Sequence, residues 1–283
     1  MLSTRAASLL ASIPSPSSGT LEIGPVKLNA YGLMIAIGVI VAVRIAGKRA
    51  ERINAGTIDD FSSIALWAVP AGIIGGRAYH VLTDAEKFYG QWGDVVKVWQ
   101  GGLGVWGGIT VGVLVGFWRA KKMGRDAWVL VSCAVPGIAI AQAIGRWGNW
   151  WNQELFGRPT DLPWALEVSD ATALKAGFPA GTTFHPTFLY ESLACVVLAV
   201  ALVAIEKKWT LRRGRLLGFY VAGYTAIRFF VEGLRIDDAK EFAGFRLNQW
   251  VSIAAFVVAV GFLVVDARRS REAPNTSTVL EHE

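Results

Sequence analysis

Charge is what this sequence has least of. Only 18% of its 283 residues are Asp, Glu, Lys or Arg, against roughly a quarter in soluble domains. A soluble chain of this length needs a more polar surface to cover its core, so nearly any soluble enzyme is excluded. Cysteine is scarce too. Cys133 and Cys195 both lie in apolar runs, where a thiol behaves as a small hydrophobe; a disulfide scaffold is excluded, and no metal site or cofactor is expected. The composition as a whole is too apolar for a disordered chain. What is abundant is apolar: 53% hydrophobic residues, 31 Gly, 12 Trp and a mean hydropathy of +0.41. Trp concentrates at bilayer interfaces, and the composition describes a polytopic membrane protein. The net charge of +6 does not indicate a nucleic-acid partner, because the basic residues fall in short clusters between apolar runs, the pattern that sets membrane topology.

A spanning helix needs about 20 mostly apolar residues. Seven segments meet this: Leu28–Ala46, Phe61–Leu82, Val98–Trp118, Ala127–Ile144, Thr187–Ile205, Leu216–Leu234 and Gln249–Ala267. The third is rich in glycine and open to a break. One long connection, Gly145 to Pro186, carries Pro159, Pro163 and Pro179 and is expected to form a small extracytoplasmic cap. The expected fold is an all-α integral membrane protein of seven transmembrane helices. Residues 1–27 would be an extracytoplasmic tail, 28–267 the helical domain with its cap at 145–186, and 268–283 a cytoplasmic tail. The first 19 residues read as polar tail rather than secretory signal. Orientation comes from the loops. Fifteen Lys and Arg cluster on one side, among them Lys48, Arg49, Arg119, Lys121, Lys207, Arg212, Arg213 and Arg268, against ten on the other, spread over longer segments. Positive-inside then places the N-terminus outside and the C-terminus in the cytoplasm.

Charges inside spans are costly, so each is a functional candidate. Arg77, Arg228, Glu232 and Glu191 (with His185 and Tyr190 just before it) fall near the outer ends of their spans. Arg146 leaves the outer end of the fourth, followed by Asn149, Asn152, Gln153 and Glu154; Tyr31 and Gly101–Gly108 lie on the same side. Arg44 stands apart near an inner end, where it can snorkel. Independent helices thus place arginines and glutamates in one leaflet, which implies a polar cavity opening outward. A guanidinium fork matches a phosphate and stays charged when desolvated, so the cavity suits a phospholipid headgroup. Plainer roles exist for each residue. Arg228 and Glu232, spaced i, i+4, can neutralise each other; Arg77 can anchor at the interface, as can Tyr79 and His80; Glu191 can be only a counter-ion. The glycines at 75, 76, 101, 102, 104, 107 and 108 allow either close helix packing or approach of backbone to a ligand.

The segment Gly145-Arg-Trp-Gly-Asn-Trp-Trp-Asn-Gln-Glu-Leu-Phe-Gly-Arg158 resembles the signature of the bacterial prolipoprotein diacylglyceryl transferases. Ile23-Gly-Pro-Val26, Ala30-Tyr-Gly-Leu-Met34, Gly76-Arg77, Gly101-Gly-Leu103, His185-Pro-Thr-Phe-Leu-Tyr-Glu191 and Arg228-Phe-Phe-Val-Glu232 with Arg235 match in the family's order. The resemblance implies a seven-span, N-out enzyme of the bacterial cell membrane whose active site faces the outer leaflet. Its substrates would be phosphatidylglycerol and the lipobox segment of a prolipoprotein. The diacylglyceryl group would pass to the lipobox thiol with release of glycerol phosphate, as the first step of lipoprotein maturation. It further implies that Arg146, Glu154, Arg228 and Glu232 are catalytic, and that Tyr31, Asn149 and Gly157 join the two arginines in binding the lipid; Arg77, by its place near the outer end of its span, is a further candidate for the same lipid. Many members carry a histidine where this chain has Trp106, within Gly101-Gly-Leu-Gly-Val-Trp-Gly-Gly108. Indole accepts no proton, so either that histidine is not strictly required or the base is another group: Glu154, Glu191 or Glu232 by position, with His185 and His80 as remoter choices. A phospholipid-binding relative without activity, and a lipid or solute transporter, are the competing readings. A transporter commonly shows an internal repeat and midplane sites, neither of which the sequence contains.

Overall fold

A computed structural model describes residues 12–23, 26–98, 101–208 and 214–272. Arg212, Arg213, Gly24, Pro25 and the greater part of both tails, His282 included, lie outside the described residues. Among the described residues there are eight α-helices. Seven are long: α1 (Ala30–Arg52), α2 (Ile58–Thr83), α3 (Val105–Lys122), α4 (Ala127–Asn152), α6 (Thr187–Lys208), α7 (Arg215–Leu234) and α8 (Leu247–Glu272); α5 (Asp170–Lys175) is short. Each long helix carries one of the seven apolar segments. Five, α1, α2, α4, α6 and α8, are long and apolar enough to cross a membrane. The other two are more polar: α3 ends on Arg119, Lys121 and Lys122, and α7 holds Arg228 and Glu232. Leu66, Val197 and Val258 stand 74%, 68% and 72% exposed, faces that suit hydrocarbon and not water.

Every long helix departs by some residues from the apolar run it carries, and two of these boundaries change the reading. The third helix starts at Val105 and not at Val98, because Gly101 and Gly102 adopt φ of +86° and +74°, which no helix accommodates. The fourth runs on to Asn152, so the long connection begins at Gln153 and the signature's first half is helical. Both prolines inside helices, Pro70 in α2 and Pro136 in α4, are accepted within their apolar runs.

The chain divides into two compact units. In the unit Val39–Gly137, α2 packs on α3 along a seam of small residues. A Cβ on Gly75 would lie 2.5 Å from the Val111 side chain, and one on Gly107 only 2.3 Å from the Gly75 carbonyl. These glycines therefore serve helix contact. The base of the unit is a cluster of Ala46, Ala50, Phe61, Ala120, Leu130 and Cys133. Helix α2 opens with a Thr57–Asp60 capping box, which satisfies two otherwise orphaned donors.

The second unit combines Met1–Gly38 with Ile138–Glu283. Here α7 packs on both α6 and α8. The connection after α4 is folded around its own core of Phe156, Leu166, Ala173, Phe184 and Phe188. A small sheet in the order β1 (Ile13–Pro14), β4 (Leu166–Glu167), β5 (Thr183–Phe184) joins the N-terminal segment to it, β1 parallel and β5 antiparallel to β4. Two hairpins, β2 (Thr20–Ile23) with β3 (Val26–Asn29) and β6 (Glu241–Phe242) with β7 (Phe245–Arg246), precede α1 and α8.

Candidate active site

The signature segment supplies the first half of the site. Arg146 and Asn149 are three residues apart on α4 and so share a face; Arg146 Nη1 donates to Asn149 Oδ1 over 3.4 Å. After Asn152 the chain reverses. Gln153 and Leu155 take φ of +51° and +58°, left-handed conformations that cost a non-glycine residue about 1–2 kcal/mol each. Such strain persists where the surroundings impose it and gathers at functional sites. Glu154 stands between them. Its amide donates to Asn149 O at 3.1 Å, and its Oε1 accepts from Asn149 Nδ2 at 2.8 Å and Asn152 Nδ2 at 3.4 Å.

Helices α6 and α7 supply the second half. Glu191, only 2% exposed, bridges two arginines: Oε1 lies 2.8 Å from Arg146 Nη2 and Oε2 3.2 Å from Arg228 Nη1. The Tyr224 hydroxyl donates to the same Oε1 at 3.1 Å. Arg228 also meets Glu232 at 2.5 Å. Glu232 has no exposure and is enclosed by Arg235 at 3.3 Å, Arg246 at 3.4 Å and Asn248 Nδ2 at 3.1 Å. Buried charges persist only when paired this way. Asp237 closes the network, forming two 2.7 Å bonds with Arg235 and one of 3.0 Å with Arg246. Burial pushes its carboxyl up, but the bonds and charges of Arg235 and Arg246 outweigh burial and hold it below the usual carboxylate range. A narrow pocket opens onto this array, lined by Arg146, Asn149, Glu191, Arg228 and Arg235 with Leu155, Thr187, Phe188 and Val231. Two guanidiniums thus converge on one carboxylate at a polar pocket, the arrangement that receives a phosphate.

The other sequence candidates occupy varied places. The Tyr31 ring lies against Gly148, whose Cβ would fall 2.5 Å from it. Gly157 threads between His185 and Leu234: its amide donates to His185 O at 2.9 Å, and a Cβ there would lie 2.8 Å from the His185 side chain and 3.1 Å from Leu234 O. His185 Nδ1 pairs with the Tyr190 hydroxyl at 3.1 Å, which also accepts from Trp164. Arg77, in the Val39–Gly137 unit, is not among the pocket's lining residues. It is 7% exposed and donates to the carbonyls of Asp94, Val95, Gly101 and Gly102, with Phe88 beneath its guanidinium. His80 pairs with Asp84 at 3.0 Å. Tyr224, Asp237, Arg246 and Asn248 were not singled out by sequence reasoning. Only Tyr224 left a signal, four residues before Arg228 and hence on the same face of α7.

A family model for prolipoprotein diacylglyceryl transferase matches residues 18–265. The chain belongs to the prolipoprotein diacylglyceryl transferase family. It is 48% identical over 267 residues to the phosphatidylglycerol–prolipoprotein diacylglyceryl transferase of Streptomyces griseus, covering 92% of this chain and 79% of that protein. It is 44% identical over 274 residues to the protein of the same name from Cutibacterium acnes, covering 96% and 92%, and 47% identical over 271 residues to transferase 1 of Streptomyces coelicolor, covering 93% and 77%. With the family's fold and five long apolar helices, the chain is a multi-pass membrane protein of bacterial type.

Proposed function

We propose that this protein transfers the diacylglyceryl group of phosphatidylglycerol to the thiol of a prolipoprotein lipobox cysteine. The observation that carries the reading is the convergence of Arg146 and Arg228, from α4 and α7, on the buried Glu191 in the lining of one pocket. The phosphodiester of the lipid sits against these guanidiniums. The thiol loses its proton to Glu154, because the thiolate is the nucleophile. The sulfur then attacks the glyceryl carbon next to the phosphate, the carbon–oxygen bond breaks, and glycerol phosphate leaves with the electron pair. Arg146 and Arg228 neutralise the charge that develops on the departing oxygen.

Burial separates the carboxylates by role. Glu191 and Glu232 are enclosed by guanidiniums and serve as anchors that aim Arg228 and Arg146. Glu154 is less buried, and its carboxylate partners are the neutral amides of Asn149 and Asn152, which suits proton transfer. Asn149 and Tyr31 serve the headgroup, and Gly157 keeps the backbone close behind the pocket. Trp106 is 52% exposed and takes no part in proton transfer. The seven long helices all span the bilayer with the N-terminus outside, a reading supported by the loop charges, and the pocket faces the outer leaflet of the cell membrane beneath the cap.

The test uses the purified chain in phosphatidylglycerol vesicles with a lipobox peptide. The expected products are a thioether-linked diacylglyceryl peptide and free glycerol phosphate. Arg146→Ala and Arg228→Ala each lower turnover by at least about a hundredfold, as loss of an oxyanion-type donor does, while Trp106→Ala keeps most of it. Lipid binding without release of glycerol phosphate would reduce the protein to a binding relative.

A further inference from the structure

Gln153 opens the reversal after α4 in a left-handed conformation, φ +51°, that glycine would adopt without strain. Its side chain supplies a reason for a larger residue there. Nε2 donates to Pro16 O at 2.7 Å. Oε1 accepts from the Ser169 amide at 2.8 Å and from Thr172 Oγ1 at 3.0 Å. One amide thereby joins three stretches distant in sequence: the N-terminal segment beside β1, the signature turn, and the first turn of α5, where Ser169 is the N-cap. Trp150 Nε1 reinforces the first junction by donating to Pro14 O at 3.0 Å. On the far side of Glu154, the Thr187 hydroxyl donates to Leu155 O. The two strained residues flanking Glu154 are thus each held by a side-chain bond to a separate part of the unit.

We propose that Gln153 is a positioning residue for the transfer reaction, its carboxamide clamping the N-terminal segment and the α5 cap onto the turn that aims Glu154. This rests on the transferase reading above. The clamp bears first on proton transfer: Arg146 and Arg228 pair with Glu191, while Gln153 bonds to Pro16, Ser169 and Thr172 and reaches the lipid side only through the Glu154–Asn149 bond.

The test compares full-length wild type, Gln153→Gly and Thr172→Val in phosphatidylglycerol vesicles with a lipobox peptide. Gln153→Gly relieves the backbone while deleting the amide. Its kcat is expected to fall at least about tenfold, within the roughly hundredfold that a 1 Å misplacement of a catalytic group can cost, while KM for phosphatidylglycerol stays within about twofold. Thr172→Val shifts kcat less, in the same direction, and the double variant is no worse than Gln153→Gly alone, as expected for residues acting through one contact. A wild-type kcat in Gln153→Gly would overturn the proposal, as would a kcat loss matched by an equal rise in KM, or additive losses in the double variant. Should Gln153→Gly fail to fold, Gln153→Asn, which withdraws the amide by one methylene, replaces it with the same expectations. An inactive wild type would instead sink the transferase reading itself, so the two failures are distinguishable.

Discussion

Glu191 carries one negative charge and serves two guanidiniums, with a tyrosine hydroxyl as third partner. Glu191→Gln keeps the shape and removes the charge, taking from Arg146 its carboxylate partner and leaving Arg228 with Glu232 alone. Breaking a buried pair costs about 3–5 kcal/mol, so a clearly lower Tm is expected in detergent. Phosphatidylglycerol should restore more of the Tm in this variant than it adds to wild type, because its phosphate supplies the missing anion; equal lipid shifts would count against phosphate binding at these arginines. Asp237 gives a pH signature. Its folded-state carboxyl lies below the usual range, so its contribution to stability is fully present above about pH 4, the unfolded value, and fades as pH falls through the lower folded value. Asp237→Asn should therefore flatten the acid limb of the stability curve and leave the neutral region parallel to wild type, measured as Tm against pH.

The α2–α3 seam is the element most dependent on single atoms. Gly107→Val would drive a side chain into the Gly75 carbonyl, 2.3 Å from the new Cβ; overpacking of this kind costs about 1–3 kcal/mol or more, and a thermal melt should show it. Gly145, with open space around its α-carbon position, should accept alanine at little cost. The long helices were legible because an apolar run of span length has few other fates. The start of α3 was not, since hydropathy does not report the left-handed backbone of Gly101 and Gly102. Nor were β1, β4 and β5, two residues each and too short to show any alternation. In the site, Arg146, Arg228, Glu191 and Glu232 stood out because charge in an apolar run is expensive. Asp237, Arg246 and Asn248 lie in or beside a polar connection, where charge is ordinary, and only the fold turns them toward Glu232.

For the whole molecule the proposed topology makes a separate prediction. With Cys133 and Cys195, both buried, replaced by alanine, a cysteine at Asp170 in α5 should react with a membrane-impermeant maleimide on intact cells. One at Lys121, at the end of α3, should react only after permeabilisation. The reverse pattern would invert the orientation drawn from the loop charges. The ion-pair array has one more consequence. Four guanidiniums, at Arg146, Arg228, Arg235 and Arg246, pair with three carboxylates, at Glu191, Glu232 and Asp237, while Glu154 stands beside them on the amides of Asn149 and Asn152. Formally the paired array keeps a single positive charge in surplus, a modest pull on an anion. It works as an exchanger: the incoming phosphodiester borrows guanidiniums from their resident carboxylates, and those carboxylates reclaim them when glycerol phosphate departs. On the proposed mechanism, product release is thus written into the resting geometry, and tight retention of the headgroup is traded for turnover.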